Sequence, residues 1–426
     1  MIDLNAHLTI EKLTSRGEGM APGPSKSPVF VPFALPGEEV LAEVDGERGL
    51  LIEVLKPSPN RVAAPCPHFS TCGGCAVQTL SAAAYGEWKR GLVVDALRHA
   101  GVVADVAPLR AAWGDGRRRA TFHARFDARG RAHVGFMEAR SHTIFELDAC
   151  PILAPDMAGA LAAAREIAQA LAGNEKPLDL VVTASRTGLD VDLRGCGKLD
   201  FHTEQALIAV AQQRDLARIS NHGAVMIERR APEVLCGRAV VTPPPGNFLQ
   251  ATAAGEEALT SVVVEAFSGA KKCADLFSGT GAFALRLAEK AEVFCAESDA
   301  AALNACLRAA NTTPGLRNVT GEARDLFMRP VLPAELEKFD AVVFDPPRAG
   351  AEAQARDLAR SSVPKIAAVS CNPQTFARDA RLLVAGGYAV ESVIPVDQFL
   401  YSPHVELIGI FAKVSARAKK KRRLLG

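Results

Sequence analysis

Residues 272–281 read KCADLFSGTG, in which an apolar strand runs into a turn containing Gly279 and Gly281. Glycine at these positions allows a tight turn and lets the backbone approach a ligand at the amino terminus of the following helix. Glu297 lies 22 residues after Asp275, at the end of the next predicted strand, where an acidic side chain typically binds ribose hydroxyls. This pairing fits S-adenosylmethionine or a nicotinamide cofactor. Because the turn has two close glycines rather than the three of a dinucleotide fingerprint, a ligand without a pyrophosphate is favoured.

Strands and helices alternate along the C-terminal part of the sequence. From about residue 257 the pattern predicts a strand at 272–277, a helix at 282–290, a strand at 291–296, a helix at 300–312, and strands at 339–344 and 366–370. Strands that alternate with helices of about 10–15 residues predict a doubly wound α/β sheet. Such sheets bind ligands at the carboxyl ends of their strands, so we expect the functional residues there.

Two short motifs follow these predicted strands, and a third begins an apolar run nearer the end of the chain. DPPR begins at Asp345, and its two prolines direct the chain across the ligand edge of the sheet, between cofactor and substrate. SCNP contains Cys371 next to a predicted helix amino terminus, an environment that lowers the pKa of a thiol and suits a nucleophile. HVE ends at Glu406 in an apolar run, where desolvation raises the pKa of a carboxyl group towards a value suited to a general base.

Four of the ten cysteines have a spacing typical of metal-binding proteins. Five residues separate Cys66 from Cys72, two separate Cys72 from Cys75, and Cys150 follows after 74 more. Four thiolates can bind zinc or an iron–sulfur cluster. Since a zinc ribbon more often has two C-x2-C pairs, the spacing modestly favours iron–sulfur.

Composition and charge set wider limits. The 426 residues are enough for two or three domains, and 48% hydrophobic with 23% charged residues excludes wholesale disorder. Neither a membrane-spanning apolar run nor a secretory signal pattern is present, so we expect a cytoplasmic protein with reduced cysteines. The net charge is +1, but residues 413–426 contain seven bases and no acid, which predicts a basic tail.

The chain divides into four predicted parts. Residues 1–58 contain short apolar runs separated by turn signals, which predicts a small β domain. A central domain over 59–250 carries the cysteine cluster, the α/β domain covers 251–413, and the basic tail covers 414–426. In the central domain, the arginines at 117–119 lead into a strand with Phe122, a pattern typical of phosphate contacts and base stacking, with a solvated basic loop as the alternative.

Together these residues resemble the RNA uracil-5-methyltransferase family, class I enzymes that form 5-methyluridine. The match covers nearly the whole chain. The segment GEGMA (17–21) through LPGE (35–38) resembles the family's TRAM domain, an OB-like RNA-binding barrel. The C-terminal motifs follow the family's order: FLQ (248–250), DLFSGTG, Glu297, Asp325 within RDL, DPPRAG, SCNP and HVE. The resemblance implies an N-terminal OB-like barrel, a central α+β iron–sulfur domain and a Rossmann-like methyltransferase domain.

The resemblance also implies a role for each site residue. The residues that would line the S-adenosylmethionine and uracil site are Gln250, Phe277, Glu297, Asp325 and Asp345. Cys371 would be the nucleophile that adds to C6 of uracil, and Glu406 the base that removes the C5 proton. One departure is Ala282, where the family usually has Asn, so a side-chain contact to the cofactor is missing or replaced there.

The ribosomal-RNA branch of the family implies a [4Fe-4S] cluster on Cys66, Cys72, Cys75 and Cys150. We therefore expect a monomer that methylates a uridine in structured RNA, with 23S rRNA as the favoured substrate. One alternative is uridine-5 methylation of transfer RNA, although that branch generally lacks the cluster cysteines and the TRAM domain. RNA cytosine-5 methylation is disfavoured because DPPR contains no cysteine. A non-catalytic RNA-binding iron–sulfur protein is disfavoured by the intact SCNP and HVE motifs.

Overall fold

The computed structural model describes residues 3–23, 27–174 and 176–414. The predicted basic tail beyond residue 414 therefore lies outside the described residues. Within these ranges the chain forms sheets of six, seven and eight strands and a separate two-stranded hairpin. None of the helices in these ranges is long and apolar enough to cross a membrane.

The N-terminal sheet is barrel-like. Its strands are β1 (Asp3–Thr9), β2 (Lys12–Leu13), β3 (Glu18–Pro22), β4 (Pro28–Pro32), β5 (Glu39–Asp45) and β6 (Arg48–Lys56). The strand order is β1-β5-β6-β4-β3-β2, so the two ends of the sheet are consecutive segments of the chain. β1 pairs with β5 and β2 with β3, which curls the sheet round on itself. Val40, Ala42 and Val44 alternate along β5 and fill the interior, as expected for a small β domain.

The middle of the chain forms a seven-stranded sheet with two helices, preceded by a helix and a short strand that join the C-terminal sheet. The elements are α1 (Ala82–His99), β7 (Arg110–Ala111), β8 (Arg119–Phe126), β9 (Ala132–Met137), β10 (Ile144–Phe145), α2 (Ala160–Ala170), β11 (Leu178–Ser185), β12 (Gly188–Arg194), α3 (Phe201–Gln213), β13 (Arg218–Asn221) and β14 (Ala224–Glu228). The sheet has the order β10-β9-β8-β11-β12-β13-β14. α2 buries Ala163, Ala164 and Ile167 in the core that this sheet forms. The cysteine segments lie in the loops before α1 and before η1–α2, where a short 3-10 turn covers Pro155–Met157.

The C-terminal part is a doubly wound α/β sheet, which confirms the predicted Rossmann-like class. Its elements are β15 (Val234–Cys236), β16 (Ala239–Val241), α4 (Ala253–Ala266), β17 (Lys272–Leu276), α5 (Ala284–Leu287), β18 (Glu292–Glu297), α6 (Ala300–Thr312), β19 (Val319–Ala323), α7 (Pro333–Leu336), β20 (Ala341–Phe344), α8 (Glu352–Arg360), β21 (Lys365–Ser370), α9 (Pro373–Ala385), β22 (Tyr388–Asp397) and β23 (Glu406–Lys413). The strand order is β19-β18-β17-β20-β21-β23-β22-β7. Separate apolar cores cover the two faces of the sheet.

The topology places the candidate residues at one edge of this sheet. Strands β17 to β21 are parallel, so their carboxyl ends meet there and present Phe277, Glu297, Asp345 and Cys371. β23 runs antiparallel to β21. Its first residue, Glu406, therefore lies at the same edge, although it is far from the others in sequence.

The helix after the glycine-rich turn is shorter than predicted. It covers Ala284–Leu287 rather than 282–290. Gly281 has a φ of 89°, in the left-handed region, so the residues around it form a turn and the regular helix begins only afterwards. Beyond the helix, the amides of Glu289 and Lys290 each bond to the carbonyl three residues earlier, which ends the α-helical pattern.

Parts of the predicted central domain complete the C-terminal sheet. β7 pairs with β22 at the sheet edge. α1 packs on α9, and its Val93 and Leu97 belong to the core of that face. The β15–β16 hairpin packs on the opposite face. The chain therefore crosses between the two domains more often than a single boundary at residue 250 implies.

Candidate active site

A cavity of about 550 Å³ lies at the carboxyl edge of the parallel strands. The candidate residues that line it are Gln250, Phe277, Glu297, Asp345, Cys371 and Glu406. Asp325 does not line it. Its carboxylate instead accepts hydrogen bonds from the backbone amides of Phe327 (2.9 Å) and Met328 (3.4 Å). The ring of Phe327, which sequence reasoning missed, lines the cavity.

The turn after β17 shapes one end of the cavity. Phe277 has a φ of 63°, an uncommon conformation for a residue with a side chain. Glu297 accepts a hydrogen bond from the amide of Gly279 (2.9 Å) and so links the turn to β18. A Cβ on Gly279 would meet no atom within 4 Å, whereas one on Gly281 would overlap the sulfur of Cys306 on α6. Gly281 thus allows α6 to pack closely against the turn. Gly279 has no side chain to cover its backbone, which therefore stays accessible from the cavity.

Two amide side chains join the two carboxyl groups of the site. Gln250 Nε2 donates to Asp345 Oδ2 (3.1 Å). Gln398 Nε2 donates to Gln250 Oε1 (2.6 Å) and to Glu406 Oε2 (3.1 Å). Gln250, Gln398 and Glu406 are all buried. The network fixes both carboxyl groups, and Gln398 was not predicted because its loop position carries no periodic or motif signal.

Both carboxyl groups have raised pKa values. Burial raises the pKa of Asp345 to about 7, although the hydrogen bond from Gln250 opposes this. Burial and the neighbouring Asp345 raise the pKa of Glu406 to about 8, opposed by Gln398 and by the charge of Arg348. The predicted rise for Glu406 is confirmed. Because the two carboxyl groups interact, their protons are lost in two steps, and neither step can be assigned to one residue alone.

Cys371 lies between β21 and α9, as the sequence predicts. Asn372 caps the helix through its side chain. The pKa of Cys371 is nevertheless raised to about 11, because burial and the carboxyl groups of Glu406 and Asp345 disfavour the thiolate, while Arg348 favours it. The predicted lowering of this pKa is therefore wrong. The helix terminus is outweighed by desolvation and by two acids that only the fold brings near.

Arg348 and His404 complete the wall near the thiol. Arg348 Nη2 lies 3.1 Å from Nε2 of His404. Burial and nearby positive charges lower the pKa of His404 to about 4, so the ring is neutral and accepts a hydrogen bond from Arg348. The ring of Phe399 meets that of His404 edge-on at 5.9 Å between centroids. A signal for Arg348 existed in the sequence: it is the basic residue of the DPPR motif, which was expected at the ligand edge of the sheet.

All four candidate cluster cysteines line a second cavity of about 810 Å³. These are Cys66, Cys72, Cys75 and Cys150, and each is partly buried. Across the described part of the chain, no three His, Cys, Asp or Glu side chains are arranged as a metal-binding group. A Cβ on Gly73 would lie 2.9 Å from the carbonyl oxygen of Met137, so glycine is required for this close approach. The thiols thus share one cavity and have suitable donor chemistry, without forming a closed metal site.

The two cavities share a wall. Phe248, Leu249, Arg348 and Phe399 line both. Arg117 lines the cysteine cavity and lies over the ring of Phe399, 5.6 Å from its centroid. The cysteine segments therefore adjoin the site that contains Cys371 and Glu406.

In the basic segment at 117–119, the side chain of Arg118 makes its contacts within the protein. Arg118 donates to the backbone carbonyl of Gln250 (3.0 Å) and pairs with the buried Glu256 (2.5 Å). Phe122 is completely buried in the central core. The prediction that Phe122 stacks on RNA bases is wrong, because strand alternation directs this side chain into the core. Arg118 instead positions Gln250.

Proteins described as RNA methyltransferases are similar to this chain over nearly its whole length. An uncharacterized RNA methyltransferase of Brucella suis is 45% identical over 406 residues, covering 95% of this chain and 97% of that protein. The 23S rRNA (uracil(1939)-C(5))-methyltransferase RlmD of Halomonas elongata is 32% identical, covering 94% of this chain and 88% of that protein. The chain belongs to the RNA (uracil-5-)-methyltransferase family.

Two further comparisons agree with this family. The model of the tRNA (uracil-5-)-methyltransferase family matches residues 240–414. The solved structure of Pyrococcus abyssi tRNA (uracil-54, C5)-methyltransferase in complex with S-adenosyl-L-homocysteine has the same fold, with a TM-score of 0.73, 23% identity, and coverage of 95% of this chain and 99% of that one. As a member of the family, the chain is an S-adenosylmethionine-dependent RNA (uracil-5-)-methyltransferase.

Proposed function

We propose that this methyltransferase modifies C5 of a uridine in 23S rRNA, with Cys371 as nucleophile and Glu406 as general base. The observation that carries the proposal is the single cavity lined by both side chains and by the turn that Glu297 supports. The 32% identity to the Halomonas elongata enzyme supports a ribosomal substrate. Methylation of transfer RNA is the second candidate, supported by the description of the family model.

Mass spectrometry of RNA from cells lacking the protein tests this proposal. Ribosomal and transfer RNA are digested separately, and each uridine-containing fragment is compared with that from wild-type cells. We expect one or more 23S fragments to become lighter by the mass of a CH2 group. A change confined to transfer RNA would overturn the ribosomal assignment, and unchanged fragments in both pools would overturn the proposed methylation.

The residues proposed to form the S-adenosylmethionine and uracil site are those named from the sequence: Gln250, Phe277, Glu297, Asp325 and Asp345. The cavity suits a partly polar ligand because the polar residues Ser278, Thr280 and Glu297 line it. The ring centroids of Phe277 and Phe327 are 5.5 Å apart, and the two rings form an apolar wall suited to a flat base. Asp325 would act through the turn that carries Phe327. S-adenosylmethionine, when bound, supplies an electrophilic methyl group and a positive charge.

Covalent addition explains why the site needs a thiol and an acid. C5 of uracil is a weak nucleophile. In the proposed reaction the thiolate of Cys371 adds to C6, so the S–C6 bond forms, the C5–C6 double bond opens, and electron density moves to C5 and O4. C5 would then take the methyl group, whose bond to the sulfonium sulfur breaks, with S-adenosylhomocysteine as the leaving group. The carboxylate of Glu406 removes the C5 proton, the double bond returns, and the S–C6 bond breaks to release the thiolate. The target base must leave its stack for these atoms to be reached.

We expect the methylation rate at saturating substrate to rise from about pH 6 to about pH 9. The proposed reaction needs the thiolate of Cys371 and the carboxylate of Glu406, and the pKa values of these groups are raised to about 11 and about 8. Since both active forms are deprotonated, the rate increases with pH. Asp345→Asn removes a negative charge that raises both pKa values, so its rise should shift to lower pH. The pH dependence of both proteins is measured as steady-state methylation rates in buffers of constant ionic strength. A wild-type rate that does not change with pH would contradict the prediction.

We further propose that Cys66, Cys72, Cys75 and Cys150 bind a [4Fe-4S] cluster. Their position on one cavity and their four-thiolate donor set support this assignment. When bound, such a cluster cross-links the loop before α1 to the loop before α2. The proposed role is structural and RNA-orienting, with no redox step on the substrate.

Anaerobically purified protein is therefore expected to be brown and to contain about four iron atoms per chain. Cys75→Ser should lose most of this iron and melt at a lower temperature, because one ligand and the cross-link are lost. Cys196→Ser is the matched control, since that cysteine lies in the central core away from the cavity. Colourless wild-type protein without iron would contradict the proposal.

A further inference from the structure

Lys89 is a buried cation on α1, outside the segment that the family model matches. Its side chain is 0% exposed, which is rare for lysine unless the charge is paired. Its Nζ donates to Asp397 Oδ1 (2.5 Å), to the carbonyl of Phe399 (3.0 Å) and to the carbonyl of His404 (2.6 Å). All three ammonium protons therefore have acceptors.

These acceptors belong to one end of β22 and the loop that follows it. Asp397 is the last residue of β22, and the loop over 398–405 leads to Glu406 at the start of β23. Lys89 binds one carbonyl near each end of this loop. The loop begins with Gln398, which donates to Glu406. The lysine thus holds the segment between Gln398 and Glu406, and Glu406 lines the cavity.

The same loop is held from two further directions. The hydroxyl of Tyr85, one turn earlier on α1, donates to Asp397 Oδ2 (2.7 Å) and accepts from the amide of Tyr401 (3.0 Å). The carbonyl of Tyr401 accepts from the amides of Ala76 (2.8 Å) and Val77 (3.2 Å), which follow the cysteine segment. Tyr401 has a φ of 62°, so the loop adopts a sparsely populated conformation that these contacts maintain.

We propose that Lys89 is a positioning residue for methyl transfer, whose three hydrogen bonds hold the 398–405 loop so that Gln398 keeps its contact to Glu406 and Glu406 keeps its place at the cavity. The inference rests on the proposed role of Glu406. A buried ion pair is a weak source of stability, because desolvation offsets most of its attraction. The arrangement is better explained by geometry, since a compact ammonium group can bind three acceptors that the chain brings together from β22 and its loop.

The test compares Lys89→Met with Lys413→Met. Lys413 is a matched control because its Nζ also donates to three backbone carbonyls, those of Ala359, Ser361 and Gly386, at the opposite end of β23. The RNA probe is total RNA from cells lacking the protein, with radiolabelled S-adenosylmethionine. For Lys89→Met we expect kcat to fall on the order of 10- to 100-fold, because small displacements of reacting groups are costly. The KM for S-adenosylmethionine should stay within about twofold, since the Glu297 turn is untouched.

A second expected signature is a slower release of the RNA–protein adduct, seen on denaturing gels, because Glu406 is displaced. Lys413→Met should keep kcat within about twofold of wild type. A folded Lys89→Met protein with wild-type kcat would overturn the inference, and so would an equal loss of kcat in Lys413→Met. If Lys89→Met does not fold, Tyr85→Phe removes one hydroxyl from the same network and should lower kcat about tenfold. Wild-type kcat in Tyr85→Phe would then overturn it. Retained turnover in Cys371→Ala would refute the covalent mechanism, and the kcat comparison would still decide the role of Lys89.

Discussion

Replacing Cys371 with alanine is expected to lower the methylation rate by a factor on the order of 10⁴ or more, while S-adenosylmethionine binding is largely retained. The thiol lies on the cavity with Glu406 and Asp345. Without it no bond to C6 can form, and C5 stays too weak a nucleophile to take the methyl group. Transfer of labelled methyl groups to RNA measures the rate, and isothermal titration calorimetry measures cofactor binding.

Cys196→Ala is the control for this experiment. Cys196 is a buried cysteine of the central core and lines neither described cavity, so its variant should methylate at close to the wild-type rate. Retained turnover in Cys371→Ala would remove this thiol from the mechanism. Lost cofactor binding in that variant would instead show that the substitution deforms the cavity.

For Glu406→Gln, the expected result is a covalent RNA–protein adduct that releases slowly. Glutamine keeps the size of the side chain but cannot accept the C5 proton, so addition and methyl transfer proceed while elimination stalls. The substitution also removes a carboxyl group that raises the pKa of Cys371, which favours the attacking thiolate. Turnover should fall by a factor on the order of 10² to 10⁴. The adduct is measured as labelled RNA that co-migrates with protein on a denaturing gel.

Glu391→Gln offers a matched control on the same sheet. Glu391 lies on β22 in a partly exposed ion pair with Lys365, far along the strand from the cavity end. This variant should turn over normally and accumulate no adduct. If Glu406→Gln behaves in the same way, Glu406 is not the base.

Much of the site could be predicted because strand ends are visible in sequence. Phe277, Glu297, Asp345 and Cys371 each follow or end an apolar strand, and parallel strands bring such positions to one edge. The same local reasoning was wrong for the pKa of Cys371. That pKa depends on burial and on distances to Glu406 and Asp345, which no local pattern encodes.

Residues that act through loops were harder to predict. Gln398 follows the end of β22, and its contacts to Gln250 and Glu406 arise only when distant segments meet. Lys89 looks like an ordinary helical lysine in sequence, and its buried partners lie more than 300 positions further along the chain. Side chains with non-local partners carry no periodic signal of their own.

The order of strands, helices and motifs was enough to determine the Rossmann-like class, the glycine-rich turn and the family, because these depend on local patterning and on residues adjacent in sequence. The tertiary structure alone decided which groups share the cavity, how burial shifts their protonation, and how α1 holds the loop before Glu406. Electrostatic and hydrogen-bonding energies depend on distance in space, and folding brings together groups that the sequence keeps far apart.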